Sequence, residues 1–271
     1  MQYRETEHSR NYLVLLLSKK ANIMQEYLVF RLYGPMASWG QAAVGGDRPT
    51  GVQPTRSAIL GLLGAALGIK RENEAALQDL QQSVRIAIKE CVPSSLMRDY
   101  HTTQVPSHSK KVVHRSRKSE LSEDKLNTIL SSRDYRCDGL WSIALSSTEQ
   151  ATVKLEQIKN ALLKPTFVLS LGRRSCPLAA PVNPKLITQE KLKDALDTQF
   201  PAITRSAKED NMWLGSNGRV TYYWEGDKNE MKHSSILTTH PWDEPINRQR
   251  WQFKQRVMHQ LSIEEKPNVS V

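Results

Sequence analysis

The chain has 271 residues, 39% of them hydrophobic, enough apolar material for one large domain or two small ones with a real core. Its 38 lysines and arginines stand against 28 aspartates and glutamates, a formal charge of +10 that attracts a polyanion, either nucleic acid or an anionic membrane surface. The three cysteines, Cys91, Cys137 and Cys176, are far apart and form no CxxC pair, which argues against a disulfide framework or a zinc cluster and for the reducing cytoplasm.

Residues 1–23 are polar and charged around one apolar run, Tyr12 to Leu17. That run is far short of the roughly 20 residues a membrane span needs. It is followed by Ser18, Lys19 and Lys20, which do not form the small-residue cleavage site of a signal peptide. The membrane reading therefore lacks an anchor, and nucleic acid is the favoured polyanion. The segment 1–23 is expected to be a leader outside the orderly pattern that starts after Met24.

Tyr27 to Tyr33 is rich in β-branched and aromatic residues and stops at Gly34-Pro35, which predicts a first strand. A glycine-rich loop runs to Thr55. Ile59, Leu60, Leu63, Ala66 and Leu67 then recur at helical spacing, predicting a helix over 56–67 with Thr55 as N-cap and Gly68 as its stop. Gly61 and Gly64 inside it cost about 1 kcal/mol each relative to alanine, which close packing of the helix on a sheet would explain. A second helix is expected over 72–82, and the alternation from Ser83 to Cys91 predicts a second strand. A long polar insertion, about 92–138, separates it from a third strand at Leu140 to Leu145. Ser147 and Gln150 have capping-box spacing before a helix faced by Val153, Leu155, Ile158 and Leu162. Phe167 to Leu171 predicts a fourth strand.

Two βαβ halves in this order predict an α+β fold with a ferredoxin-like (RRM-like) core, an arrangement shared by RNA-recognition modules and many unrelated proteins. The expected organisation is a core over 24–180 carrying the insertion, and a smaller C-terminal α+β region, 181–271, packed on it. That region shows a helix candidate at Gln189–Leu196, a hairpin signal at Asn217-Gly218 and a polar tail with tryptophans.

Four segments carry candidate chemistry. Between Pro106 and Lys118 the insertion holds Lys110, Lys111, Arg115, Arg117 and Lys118 with no acidic residue, a mobile loop able to neutralise several phosphates or simply a solvated charge cluster. Arg98-Asp99-Tyr100-His101 offers a stacking ring and an imidazole beside a cation. The same residues could serve proton transfer in an RNA-cleaving site, or merely pack the base of the insertion. Gly172-Arg173-Arg174-Ser175 pairs a close-approach glycine with two guanidinium forks suited to phosphate; it is not a Walker loop, and its arginines could equally be structural. The loop from Trp39 to Ser57 brings Arg48 and Arg56 toward a helix N-terminus that favours anions. No histidine or acidic cluster has metal-ligand spacing, so neither metal nor cofactor is expected.

The runs Tyr27 to Gly40, Arg48-Pro-Thr-Gly51, Pro54-Thr-Arg-Ser57, Leu60-Gly-Leu-Leu-Gly64, Arg98-Asp-Tyr-His-Thr102 and Leu171-Gly-Arg-Arg-Ser-Cys-Pro177, in this order, resemble the CasD family of CRISPR type I-E Cascade subunits. The resemblance covers roughly Glu26 to Pro181 and thins to Asp243-Glu244-Pro245 and Arg250-Trp251 beyond it. It implies a ferredoxin-like core with a thumb at about 92–138, and a non-catalytic subunit that caps the 5′ handle of the guide RNA (crRNA). The implied partners are a CasC-like backbone subunit, a CasA-like large subunit and target DNA through the assembled complex, with guide processing left to CasE. Trp39, Arg48, Arg56, Tyr100, His101, Arg173 and Arg174 are carried over as candidate handle contacts. Lys110, Lys111 and Arg115 are placed by position in the thumb. The alternative is a metal-independent endoribonuclease using Tyr100, His101 and a lysine, as related subunits of another CRISPR subtype do.

Overall fold

The computed structural model describes residues 24–43, 45–107, 112–122, 124–214, 218–247, 250 and 252–264. Its first half runs β1 (Gln25–Tyr33), β2 (Met36–Ala37), β3 (Asp47–Arg48), α1 (Arg56–Ala66), α2 (Glu74–Ser83), β4 (Val84–Val92), β5 (Ser95–Pro106), α3 (Arg117–Leu121) and β6 (Leu126–Cys137). The second half runs β7 (Leu140–Ser147), α4 (Leu155–Leu163), β8 (Lys185–Gln189), α5 (Leu192–Leu196), α6 (Ala207–Trp213) and β9 (Arg219–Trp224). A 3-10 turn (Lys228–Met231) and β10 (Leu237–Thr239), β11 (Glu244–Asn247), β12 (Gln252–Lys254) and β13 (Met258–Glu264) complete it.

Seven antiparallel strands form the central sheet in the order β10-β13-β9-β4-β7-β1-β8. Alternation along β1 sends Leu28, Phe30 and Leu32 to one face, where they pack with Ile59, Leu60 and Leu63 of α1 and Ile158 and Leu162 of α4. Tyr27 and Val29 go to the other face, with Leu192 and Leu196 of α5 and Tyr222 and Trp224 of β9. The sheet takes strands from both sides of residue 181. No helix among the described residues is long and apolar enough to cross a membrane.

Helix α1 starts where its cap chemistry says: Thr55 accepts from the Ala58 N–H, and Gly68 takes φ +73° just past the end. Several other expectations are corrected. The capping box at Ser147 and Gln150 does not form, because β7 runs through Ser147 and α4 begins only at Leu155, with no side-chain cap. Residues 167–171 are not a strand. The Thr166 and Phe167 N–H groups donate to Ala66 and Ala65 carbonyls at the end of α1, Val168 is 90% exposed, and only a single bridge joins Ser170 to Pro177. The strand that closes the sheet beside β1 is β8. The C-terminal helix is shorter than expected, 192–196, since residues 185–189 are taken up by that strand. Asn217, half of the expected hairpin turn, lies outside the described residues; β9 starts at Arg219 and pairs with β4 and β13. Nor do Gly61 and Gly64 serve close packing on the sheet. A Cβ at 61 would meet nothing within 4 Å, and one at 64 only Leu77 Cδ2 at 3.5 Å.

Most of the insertion is a two-stranded ribbon, and of the basic segment between its strands residues 108–111 lie outside the described residues. β5 and β6 pair without interruption from Ser95↔Cys137 to Pro106↔Leu126, roughly 40 Å of hairpin at about 3.4 Å per residue. At its base the outer edge of β6 takes up β2 and β3.

On the far face, Asp197 accepts from Lys89 (2.7 Å), Lys193 (2.5 Å) and the Tyr222 hydroxyl (2.8 Å). Burial pushes its carboxyl up, but these donors outweigh it and hold it below the usual aspartate value. The stability it contributes is complete above the unfolded aspartate pKa of about 3.9 and disappears as the pH falls through the lower folded value. Urea unfolding followed from pH 6 downward is expected to show stability falling steeply below about pH 4. In Asp197→Asn that acid limb should be flatter, and an unchanged limb would show that other carboxylates carry it.

Candidate nucleic-acid interface

The loop after β2 folds back on itself. The Trp39 N–H donates to Thr50 Oγ1 (2.7 Å) and the Gly51 N–H to the Trp39 carbonyl (2.8 Å). The Trp39 side chain turns inward and meets Trp141 edge-on at 5.2 Å between ring centroids. The same loop is stitched to the Gly172 turn by the Ser38 N–H, which donates to Leu171 O at 2.9 Å. Gly172 has φ +86°, and a Cβ there would lie 1.9 Å from the Ser38 carbonyl oxygen, so only glycine fits.

That close approach delivers Arg173. Its guanidinium lies over the Tyr135 ring at 4.7 Å and donates to the carbonyls of Asp134 (3.3 Å) and Arg48 (3.1 Å). Arg48 donates in turn to the Gly45 and Asp47 carbonyls (2.6 and 2.8 Å). Two arginines 125 positions apart thus share one rim. They border a cleft of about 1080 Å³ that is also lined by Ser57, Gly61 and Ala65 of α1 and by Trp242 and Phe253. Arg71 also lines it, and no Asp or Glu is among the described residues that do.

A buried charge network adjoins residues that line the cleft. Arg56, expected as a phosphate ligand, is instead interior: it pairs with Glu225 (2.7 Å) and Glu244 (2.5 Å) and donates to the Gln81 and Val84 carbonyls. Asp243 takes Arg256 in a two-pronged bond (2.6 and 3.0 Å) and the Arg56 N–H at the start of α1 (2.8 Å). Arg256 also reaches Glu225 at 3.2 Å. Trp242, one residue before the clamped Asp243, is 58% exposed.

The remaining candidates sit on or near the ribbon. Register pairs Tyr100 with Ser132 and His101 with Ser131, so the two side chains point to opposite faces. Tyr100 is 65% exposed; His101 meets Asp99 through Nε2 at 2.5 Å. Arg98 grips Asp134 across the strands (2.8 and 3.0 Å), and that bond holds the Asp134 carboxyl below its usual range. Arg115 and Arg174 are exposed, with no ion-pair partner among the described residues. Lys110 and Lys111 lie outside the described residues.

The structure therefore brings Arg48 and Arg173 together, leaves Tyr100, His101, Arg115 and Arg174 dispersed, and moves Trp39 and Arg56 to the interior. It adds residues that sequence reasoning missed: Arg71, Trp242, Phe253 and the exposed Arg133, which neighbours Arg48 in register. Only Trp242 had a signal, its place between Pro241 and the Asp243-Glu244-Pro245 run. No group of three or more His, Cys, Asp or Glu able to hold a metal occurs among the described residues.

The family described as CRISPR-associated protein (Cas_Cas5) matches residues 27–259, and the chain belongs to that family. A curated relative, the CRISPR system Cascade subunit CasD of Escherichia coli (strain K12), is 42% identical over 168 residues, 59% of this chain and 70% of that protein. The resemblance read from the motifs is thereby established. Among solved structures, a chain of a CRISPR RNA-guided surveillance complex matches with a TM-score of 0.60 at 21% identity, covering 88% of this chain and 90% of its own. A Cas protein crystal structure matches with a TM-score of 0.56 at 20% identity, covering 88% and 95%. At those identities the two structures show the fold alone.

Proposed function

We propose that the chain is the RNA-binding subunit of a CRISPR Cascade surveillance complex, which caps the 5′ handle of the guide RNA and does not cut it. In this role it joins a CasC-like backbone subunit to a CasA-like large subunit in the cytoplasm, and meets target DNA only through the assembled complex. The observation that carries the reading is the arginine-rimmed cleft at the foot of the β5–β6 ribbon, with no Asp or Glu among its described lining residues. Membership of the family and the similarity to CasD support it. So does the order β4-β7-β1-β8, second-third-first-fourth of two βαβ halves with α1 and α4 on one face, which favours a ferredoxin-like core. Tyr100 and His101 would have to meet one phosphate to cleave RNA, and their opposite orientations favour holding over cutting.

Labelled repeat RNA incubated with the full chain in chelator is expected to stay whole on a denaturing gel while binding with a steep salt dependence. A discrete metal-independent cut would make the chain a nuclease instead. Arg173→Ala should weaken binding evenly across RNA sequences and lower the slope of log K against log salt by about one. An unchanged slope would take Arg173 out of the phosphate contact.

A further inference from the structure

We infer that a second, apolar groove, lined by the end of α4 and by residues 165–184, docks a segment of another protein subunit whose apolar side chains are flanked by aspartate or glutamate. The inference rests on reading the chain as a subunit of a multi-subunit complex. It adds a protein contact that shares no lining residue with the arginine-rimmed cleft.

The groove has a volume of about 450 Å³. Its buried members Leu162, Leu169 and Val182 belong to the core, whereas Leu163 and Val168 stand 61% and 90% exposed. Exposed apolar residues scattered singly are ordinary, but two large ones in one apolar groove mark a contact surface. Pro165, Pro177, Pro181 and Pro184 also line it, and each fixes the backbone and offers no N–H. The remaining backbone there is already engaged by β1. The Arg31 N–H donates to the Val182 carbonyl (2.9 Å) and the Ala179 N–H to the Tyr33 carbonyl (3.0 Å). A partner is therefore read through its side chains and not by strand addition. Asn183 is the one polar side chain among the described lining residues, too little to orient a small polar ligand. No aromatic ring among them offers a base a face to stack on.

Charge decides which side chains fit. From Gln157 to Gln189 the sequence holds Lys159, Lys164, Arg173, Arg174 and Lys185 and no aspartate or glutamate, and every described lining residue falls within that stretch. Lys164, between the lining residues Leu163 and Pro165, is exposed. An apolar groove in surroundings of one sign is complementary to apolar anchors with carboxylates beside them. The chain's own apolar run, Tyr12 to Leu17, is flanked by Arg10 on one side and by Lys19 and Lys20 on the other. Those flanks have the same sign as the groove, which turns that run away and favours a segment from another protein.

The test uses the full chain with the photo-crosslinking residue p-benzoylphenylalanine in place of Val168, assembled with guide RNA and the other subunits of its complex. Irradiation is expected to join position 168 to another subunit, at a peptide that sets apolar residues beside aspartate or glutamate. Val168→Glu should melt as the parent does, since this side chain is in solvent, and the isolated chain should bind RNA unchanged. Its assembly with the other subunits should weaken about 10- to 100-fold, because a carboxylate then faces carboxylates and the apolar contact is lost. Lys164→Glu should weaken assembly about 2- to 10-fold, a difference that shrinks as salt is added. A crosslink to RNA, to residues 1–23, to a second copy of this chain or to a peptide without acidic residues overturns the inference while the chain remains a subunit. No crosslink, or parent-like assembly of Val168→Glu, overturns it in the same way. If the unaltered chain does not assemble with the other subunits at all, the reading as a subunit falls and the groove's partner with it.

Discussion

Arg56→Ala is expected to destabilise the fold by about 3–5 kcal/mol, the range seen when one partner of a buried ion pair is removed. The guanidinium makes the direct ion pair to Glu244 and shares Glu225 with Arg256, whose charge also acts on Glu244. Alanine leaves the mostly buried Glu244 carboxylate without its bonded cation. It also removes the donors that tie the end of α2 and the start of β4, at the Gln81 and Val84 carbonyls, to the first turn of α1. In a chain of this size the loss corresponds to a fall in Tm on the order of 6–20 °C. Arg56→Lys keeps the charge but not the fork, and should fall between the two. Urea melts of the three proteins decide it; a loss below about 1 kcal/mol for alanine would show that Arg256 alone can hold the acids.

Gly172→Ala is expected to cost about 2–6 kcal/mol and to lower RNA affinity in the molecules that still fold. Two effects add. The φ of +86° strains any residue with a Cβ by about 1–3 kcal/mol. The new methyl would also sit 1.9 Å from a backbone oxygen, which cannot swing aside as a side chain can, so the two loops must separate at about 1–3 kcal/mol more. Separation lifts Arg173 from Tyr135 and from the Arg48 carbonyl, and so breaks the rim of the cleft. The affinity of the folded fraction, measured at a temperature where the variant is native, should approach that of Arg173→Ala. Parent-like affinity would mean that the rim does not depend on this turn.

β1, α1, α2, β4 and β7 are legible from local pattern because each is long, periodic and bounded by its own stop signals. Phe167 to Leu171 has a strand's pattern too, yet the N–H groups of Phe167 and of Thr166 before it are taken by the end of α1, and the glycine turn then diverts the chain. The strand actually used, Lys185 to Gln189, is a short edge strand without a strong alternation. β10 to β12 are short, three or four residues each, and most of what makes them strands is their partners, which no local window contains. The site follows the same logic. Arg48 and Arg173 stand out because arginines beside glycines are visible locally. Nothing near Arg56 in sequence reveals that Glu225 and Glu244 wait for it some 170–190 positions away.

The place of β9 in the sheet bears on how the chain is made. β4 is a central strand, paired on one side with β7 and on the other with β9. β9 is synthesised on the order of 130 residues after β4, and at translation rates of about 5–20 residues per second the gap is roughly ten seconds. For that interval the half-built sheet presents an open hydrogen-bonding edge rich in isoleucine, valine and alanine to every neighbouring nascent chain. Pairings between strands so distant in sequence are also the slow ones to form. Shielding of one edge of β4 while the last third of the chain is being translated is therefore expected to limit aggregation of the nascent subunit.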